Sequence, residues 1–147
     1  MPLKPQTLLT NKYRIEAVIG QGAYGRVYRA RNLDLDHLVA IKELHKGETD
    51  LSSGLYADYV RRFEREAKVQ VKFDHPHVVR VYDLLKPKKG ALYLVMECVE
   101  GGNLREYLEK KGALPIAEAI RLGQEILNGL AHVHADGRDI VHRDIKP

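Results

Sequence analysis

Cysteine is nearly absent from this sequence, where Cys98 stands alone among 147 residues. One thiol excludes an internal disulfide and any zinc site built on several cysteines. It lies in the apolar run Leu92 to Val99, where a small packed residue is the expected reading. No run of about 18 apolar residues occurs, so no membrane-spanning helix is expected. The opening MPLKPQTLLTNKY lacks an apolar core of secretory length, so it does not read as a signal peptide, and a cytoplasmic setting follows by default. Internal repeats and low-complexity segments are missing as well. Charge of one sign is not concentrated: 24 basic and 20 acidic residues are interspersed and leave a net +4. Arg61-Arg62 and Lys86/Lys88/Lys89 carry no interleaved aromatics and read as solvated faces, not as a nucleic-acid surface. His75-Pro76-His77 has no third ligand at metal spacing and reads as a proline turn, so no metal-ligating residue is assigned.

What is present is a globular composition, 44% hydrophobic and 30% charged, of the size of one ordinary domain. Residues 1–12 are Pro-rich and polar, and a poorly ordered lead-in is expected there. Tyr13 to Ile19 is rich in β-formers and runs into Gly20-Gln21-Gly22-Ala23-Tyr24-Gly25. Arg26 to Arg31 then alternates as a second strand, and Leu38 to Leu44 reads as a third. A dinucleotide-binding glycine fingerprint needs a helix after its glycines. Here a strand follows, which points to a β-hairpin whose glycine turn folds over a ligand; free backbone N–H groups there suit phosphate oxygens. Lys42 sits inside an apolar strand, where an ammonium requires an anion. Asp58 is a candidate N-cap for a helix to about Phe73, on which Val60, Phe63 and Ala67 share a face and Glu66 borders it. Val78 to Leu85 and Ala91 to Val99 read as two more strands around the turn Lys86 to Gly90. Glu100-Gly101-Gly102-Asn103 is a natural hinge. Beyond it a short helix, Leu104 to Lys111, ends at Gly112, and a longer one opens at Pro115 and keeps its apolar period to about His134.

Four motifs then occur in order: Gly20-x-Gly22-x-x-Gly25-x-Val27, Val39-Ala40-Ile41-Lys42, a Glu on the following helix, and His142-Arg143-Asp144. In that order they resemble the eukaryotic-type serine/threonine protein kinases, over about Tyr13 to Pro147. The fold this implies is α+β: a five-stranded antiparallel β N-lobe with one helix (13–99), a hinge (100–103), and the start of a helical C-lobe (104–147).

The resemblance also implies roles. Ile19, Gly20, Gly22, Tyr24 and Gly25 would cover the phosphates of ATP. Val27 and Ala40 would sandwich adenine, and Met96 would guard the back of the pocket. Glu97 and Val99 would present hinge backbone groups to the adenine edge, and Asn103 would meet the ribose. Lys42 would hold the α- and β-phosphates, with Glu66 paired to it. Asp144 would orient the hydroxyl of a protein substrate, and Lys146 would steady the γ-phosphate. Arg143 beside Asp144 implies control by an activation-loop phosphate.

The Mg²⁺ ligands of the family, an Asn after the catalytic Asp and the aspartate of Asp-Phe-Gly, do not occur in these 147 residues. A truncated catalytic domain is therefore expected, inactive on its own, whose 115–134 helix leaves an apolar face bare. Gln70, one turn after Glu66, stands where the family packs an apolar residue. The alternative reading is a nucleotide-binding pseudokinase or regulatory interaction module; a small-molecule kinase fits Asp-x-Lys-Pro less well.

Overall fold

The structure is a computed structural model that describes residues 2–22, 25–44, 53–87 and 91–135. Its strands are β1 (Leu8–Leu9), β2 (Tyr13–Gly22), β3 (Gly25–Asn32), β4 (His37–Leu44), β5 (Val81–Leu85) and β6 (Leu92–Glu97). Its helices are α1 (Ser53–Gln70), α2 (Leu104–Lys111) and α3 (Ile116–His134). The chain forms two compact units, Met1–Lys72 with Arg80–Cys98, and Phe73–Val79 with Val99–Pro147. The first takes in all six strands and α1, and the second takes in α2 and α3.

In the first unit the strands make one sheet in the order β1-β2-β3-β4-β6-β5, with every neighbouring pair antiparallel. Period-2 alternation divides β4 between the two faces. Val39 and Ile41 join Ile15, Tyr28, Ala30, Tyr93 and Val95 in one apolar cluster. Leu44 joins Val81 and Leu94, with Phe63 and Ala67 of α1, in the other. Ile15, Val39, Ile41 and Val95 are fully buried, and each such side chain stabilises the fold by about 1.5–3 kcal/mol.

Two expectations change here. The lead-in is structured: Gln6 N–H donates to Ile15 O (2.8 Å), and Ile15 N–H donates to Thr7 O (2.9 Å). Leu8 and Leu9 pair with Arg14 and Tyr13, which makes six strands where five were expected. Two leucines are too short a run to show a period, but Leu9 and Leu3 fill the first apolar cluster from outside. The second change is at α1, which begins before Asp58 and ends before Phe73. Leu55 and Ala57 favour helix, and Asp58 falls inside it, pairing with Arg61 one turn on.

In the second unit α2 opens on Asn103, whose side chain accepts from Glu106 N–H (2.8 Å), and closes on Gly112 at φ 81°. The segment 73–79 lies close against α3 at Gly129, where a Cβ would come within 2.8 Å of His77 O. Glycine is what permits that approach. Phe73 meets the edge of His132 at 6.0 Å, and His75 stacks on His132 at 5.0 Å. Burial and the neighbouring imidazoles His132 and His77 hold His75 below its ordinary pKa.

Candidate functional site

Cross-strand register brings several sequence-predicted residues to one face of the first unit's sheet. Gly20 stands opposite Val27, Val27 opposite Lys42, and Lys42 opposite Leu94. One step along, Ala40 faces Met96. Directly opposed residues of an antiparallel pair share a face. Glycine loop, lysine and apolar wall are thus neighbours on one surface.

The three glycines differ in what the fold asks of them. A Cβ at Gly25 would overlap the main-chain carbonyl of Glu43, so that position admits only glycine. A Cβ at Gly20 would make ordinary 3.6 Å contact with Val27, and one at Gly22 would meet nothing. Packing therefore does not demand glycine at those two places, and their bare backbone is open to close approach.

The Lys42 ammonium lies 5.8 Å from the centroid of the Phe63 ring, a contact of about 0.5–1 kcal/mol at an exposed site. Lys42 and Glu66 are both exposed, and no ion pair joins them among the described residues. The expected pairing is absent for a geometric reason. At 3.6 residues per turn Ala67 lies about 40° from Phe63, whereas Glu66 lies about 60° to its other side. Phe63 and Ala67 take the buried stripe, and Glu66 is left at its margin. On the opposite flank Glu64 meets Lys86 at 2.8 Å, and hydrogen bonding to that ammonium holds its carboxyl below the usual range.

Other predicted residues have occupations of their own. Glu97 N–H donates to Arg80 O at 2.9 Å, and Glu97 Oε2 accepts from Arg80 N–H at 3.3 Å. Ile19 and Val99 are exposed. The Asn103 amide is engaged as helix cap: besides accepting from Glu106 N–H, it donates to Glu106 Oε1 at 2.9 Å. Tyr24, Arg143, Asp144 and Lys146 lie outside the described residues. Among the described residues no cluster of three or more His, Cys, Asp or Glu side chains is placed to hold a metal. No helix among them is long and apolar enough to cross a membrane.

Sequence reasoning missed one group. Glu43, next to Lys42, is turned to the other face and is only 5% exposed. Its Oε2 accepts the Tyr28 hydroxyl at 2.7 Å and lies 3.7 Å from Arg26 Nη1. Its Oε1 accepts the Tyr93 hydroxyl at 3.5 Å. The tyrosines feel it: burial first, then the carboxylate, raises Tyr28 above its ordinary pKa and pushes Tyr93 up to about 12. The available signal was a carboxylate alternating onto the apolar side of a strand.

Residues 13–147 match the protein kinase domain family. The chain belongs to that family. Among its relatives, the serine/threonine-protein kinase pkn3 of Myxococcus xanthus is 39% identical over 136 residues, 92% of this chain and 24% of the relative. The serine/threonine-protein kinase PrkC of Bacillus subtilis is 40% identical over 139 residues, 95% of this chain and 20% of the relative. The chain thus spans about a quarter or less of the length of these kinases. Within the kinase fold, the six-stranded sheet with α1 is the N-lobe, and α2 and α3 belong to the helical part.

Proposed function

We propose that this chain is the nucleotide-binding and catalytic-loop part of a serine/threonine protein kinase, which transfers the γ-phosphoryl group of ATP to a hydroxyl of a protein substrate in the cytoplasm. One observation carries the reading. Val27, Ala40 and Met96 share a sheet face with Lys42, beneath two glycines that packing does not require. An exposed ammonium with no carboxylate ion pair among the described residues, flanked by apolar side chains, suits a nucleotide's base and phosphates.

Within this reading Lys42 binds the α- and β-phosphates. Gly20, Gly22 and Gly25, with Ile19 and Tyr24, cover them, while Val27, Ala40 and Met96 hold the adenine with the backbone of Glu97 and Val99. Asp144 orients the substrate hydroxyl and takes its proton, Lys146 balances charge on the phosphoryl group in flight, and Arg143 senses a regulatory phosphate. Glu66 serves Lys42 only after α1 turns it inward, and Asn103 reaches a ribose only by leaving its cap. Mg²⁺ would neutralise the phosphate charge when bound. None of the residues present supplies its family ligands, so no step is assigned through it.

The experiment is phosphoryl transfer from labelled ATP to a Ser/Thr peptide library by the full-length protein. Lys42→Met and Asp144→Asn should each lower the rate by about 10²–10⁴-fold. The 147-residue chain by itself should transfer essentially nothing. Efficient Mg-dependent phosphorylation by that chain would overturn the assignment of its metal-holding groups elsewhere.

The absent Lys42–Glu66 pair favours a second reading, a nucleotide-binding pseudokinase whose role is protein interaction. Transfer by the full-length protein that both substitutions abolish would reject it.

A further inference from the structure

The buried carboxylate behind the nucleotide face has no part in the roles above. A carboxylate removed from water costs several kcal/mol unless its partners are well placed, and apolar side chains of similar size often replace buried ion pairs without loss. Stability is therefore a poor reason to keep a carboxylate at Glu43, and its partners suggest another.

All of them sit on strands that carry the site. Arg26 follows Gly25, the one of the three hairpin glycines that packing requires, and stands directly across from Glu43. Tyr28 follows Val27. Tyr93, opposite Glu43 on the other side, precedes Leu94, which faces Lys42. Glu43 itself follows Lys42, and its main-chain carbonyl is the group over which Gly25 closes. One carboxylate thus gathers β3, β4 and β6 on the far face, in the row of residues adjoining Val27, Lys42 and Leu94. Leu3 N–H donates to the Tyr28 hydroxyl at 3.1 Å, so the N-terminal segment closes the same network from outside.

We infer that Glu43 is a positioning residue for nucleotide binding: it fixes the return strand of the glycine hairpin against β4, so that Val27 and the loop stay aligned over Lys42. A slip of β3 by one residue would turn Val27 to the wrong face. The carboxylate opposes that slip because only the present register places Arg26 and Tyr28 on it together. The inference rests on the kinase reading above, since it presumes that this face binds ATP.

The test uses the full-length protein and the variants Glu43→Leu, Glu43→Gln and Tyr28→Phe. Three quantities are read: affinity for a non-hydrolysable ATP analogue, KM for ATP against KM for peptide, and amide exchange at Val27 and Lys42. Glu43→Leu leaves Arg26 and the two tyrosine hydroxyls without their acceptor and should lower the melting temperature. At temperatures where it is folded it should weaken analogue binding and raise KM for ATP by about tenfold, and leave peptide KM within about twofold. Exchange at Val27 and Lys42 should quicken. Glu43→Gln still accepts the Tyr28 hydroxyl and should recover most of the affinity.

If Glu43→Leu does not fold, Tyr28→Phe, which deletes one hydroxyl, should still weaken binding by about twofold to threefold. Unchanged ATP affinity in whichever of these variants folds, beside an unsubstituted protein that binds and transfers, overturns the inference and leaves the kinase reading standing. An unsubstituted protein that neither binds the analogue nor exceeds Lys42→Met in transfer overturns the kinase reading, and the inference with it.

Discussion

The two units of this chain bury their apolar residues to different extents. In the first, two clusters clothe both faces of the sheet, and Ile15, Tyr28, Val39, Ile41 and Val95 are shut off from water. In the second, the buried residues among those described are Phe73 and Gly129. Ile116 is 81% exposed and Leu127 65%, with Ile120 and Ile126 also open. A helix that is apolar on more sides than it buries is built for cover that the described residues do not provide. The first unit can owe its shape to its own core. Among its described residues, the second is held by caps and close backbone contacts, with little buried area behind them.

The sharpest test of this contrast is a pair of truncations. Ile41→Ala should cost about 2–5 kcal/mol through a cavity in the sheet core. Leu127→Ala should stay within about 0.5 kcal/mol, as exposed positions do. Denaturant titration of both variants checks this, and equal costs would erase the distinction. Next comes Gly129→Ala, whose added methyl meets the His77 carbonyl. Backbone cannot yield as a flexible side chain can, so a loss of about 1–3 kcal/mol is expected, with faster amide exchange confined to residues 73–79 and α3.

Alkali should act on the first unit. Tyr93 ionises near 12 when folded, against an ordinary 10.0, so the unfolded chain loses its proton first. Stability is then complete below about pH 10 and falls by on the order of 2 kcal/mol as pH rises towards about 12. Tyr93→Phe should flatten that slope in melts recorded across the range. Smallest is Asn103→Ala, a lost cap of about 1 kcal/mol, seen as fraying of α2 by amide exchange while the sheet is unaffected.

Much of the first unit was legible because strands write their faces at period 2. Tyr13 to Ile19, Arg26 to Arg31 and Leu38 to Leu44 all lie in strands, and the glycines between the first two could be told from a strand–helix turn by what followed them. β1 was not legible, since its order comes from Leu9 reaching a distant core and leaves no local pattern. The α1 start was misplaced because Asp58 has the chemistry of a cap and the position of an interior residue. Spacing put Glu66 beside the apolar stripe of its helix, yet spacing alone cannot say whether a residue at that margin turns in or out. Glu43 was overlooked because its neighbour Lys42 supplied a more familiar chemistry. The Asn103 amide could have been read as a cap from Glu106, three residues on.

The strand order also bears on how the sheet comes together. β2, β3 and β4 are neighbours in sequence and in space, and can zip as successive hairpins. β5 is made before β6 but touches the sheet only through it. Before β6 docks on β4, β5 can pair with β6 and pack on α1, but that group is not yet tied to the rest of the sheet. Docking it closes the long connection from β4 to β6, which is slow before any contact rewards it. The second apolar cluster, to which β5 contributes Val81, is thus expected to form after the β2–β4 hairpins, and the edge beyond β5 is where a half-folded chain would meet another.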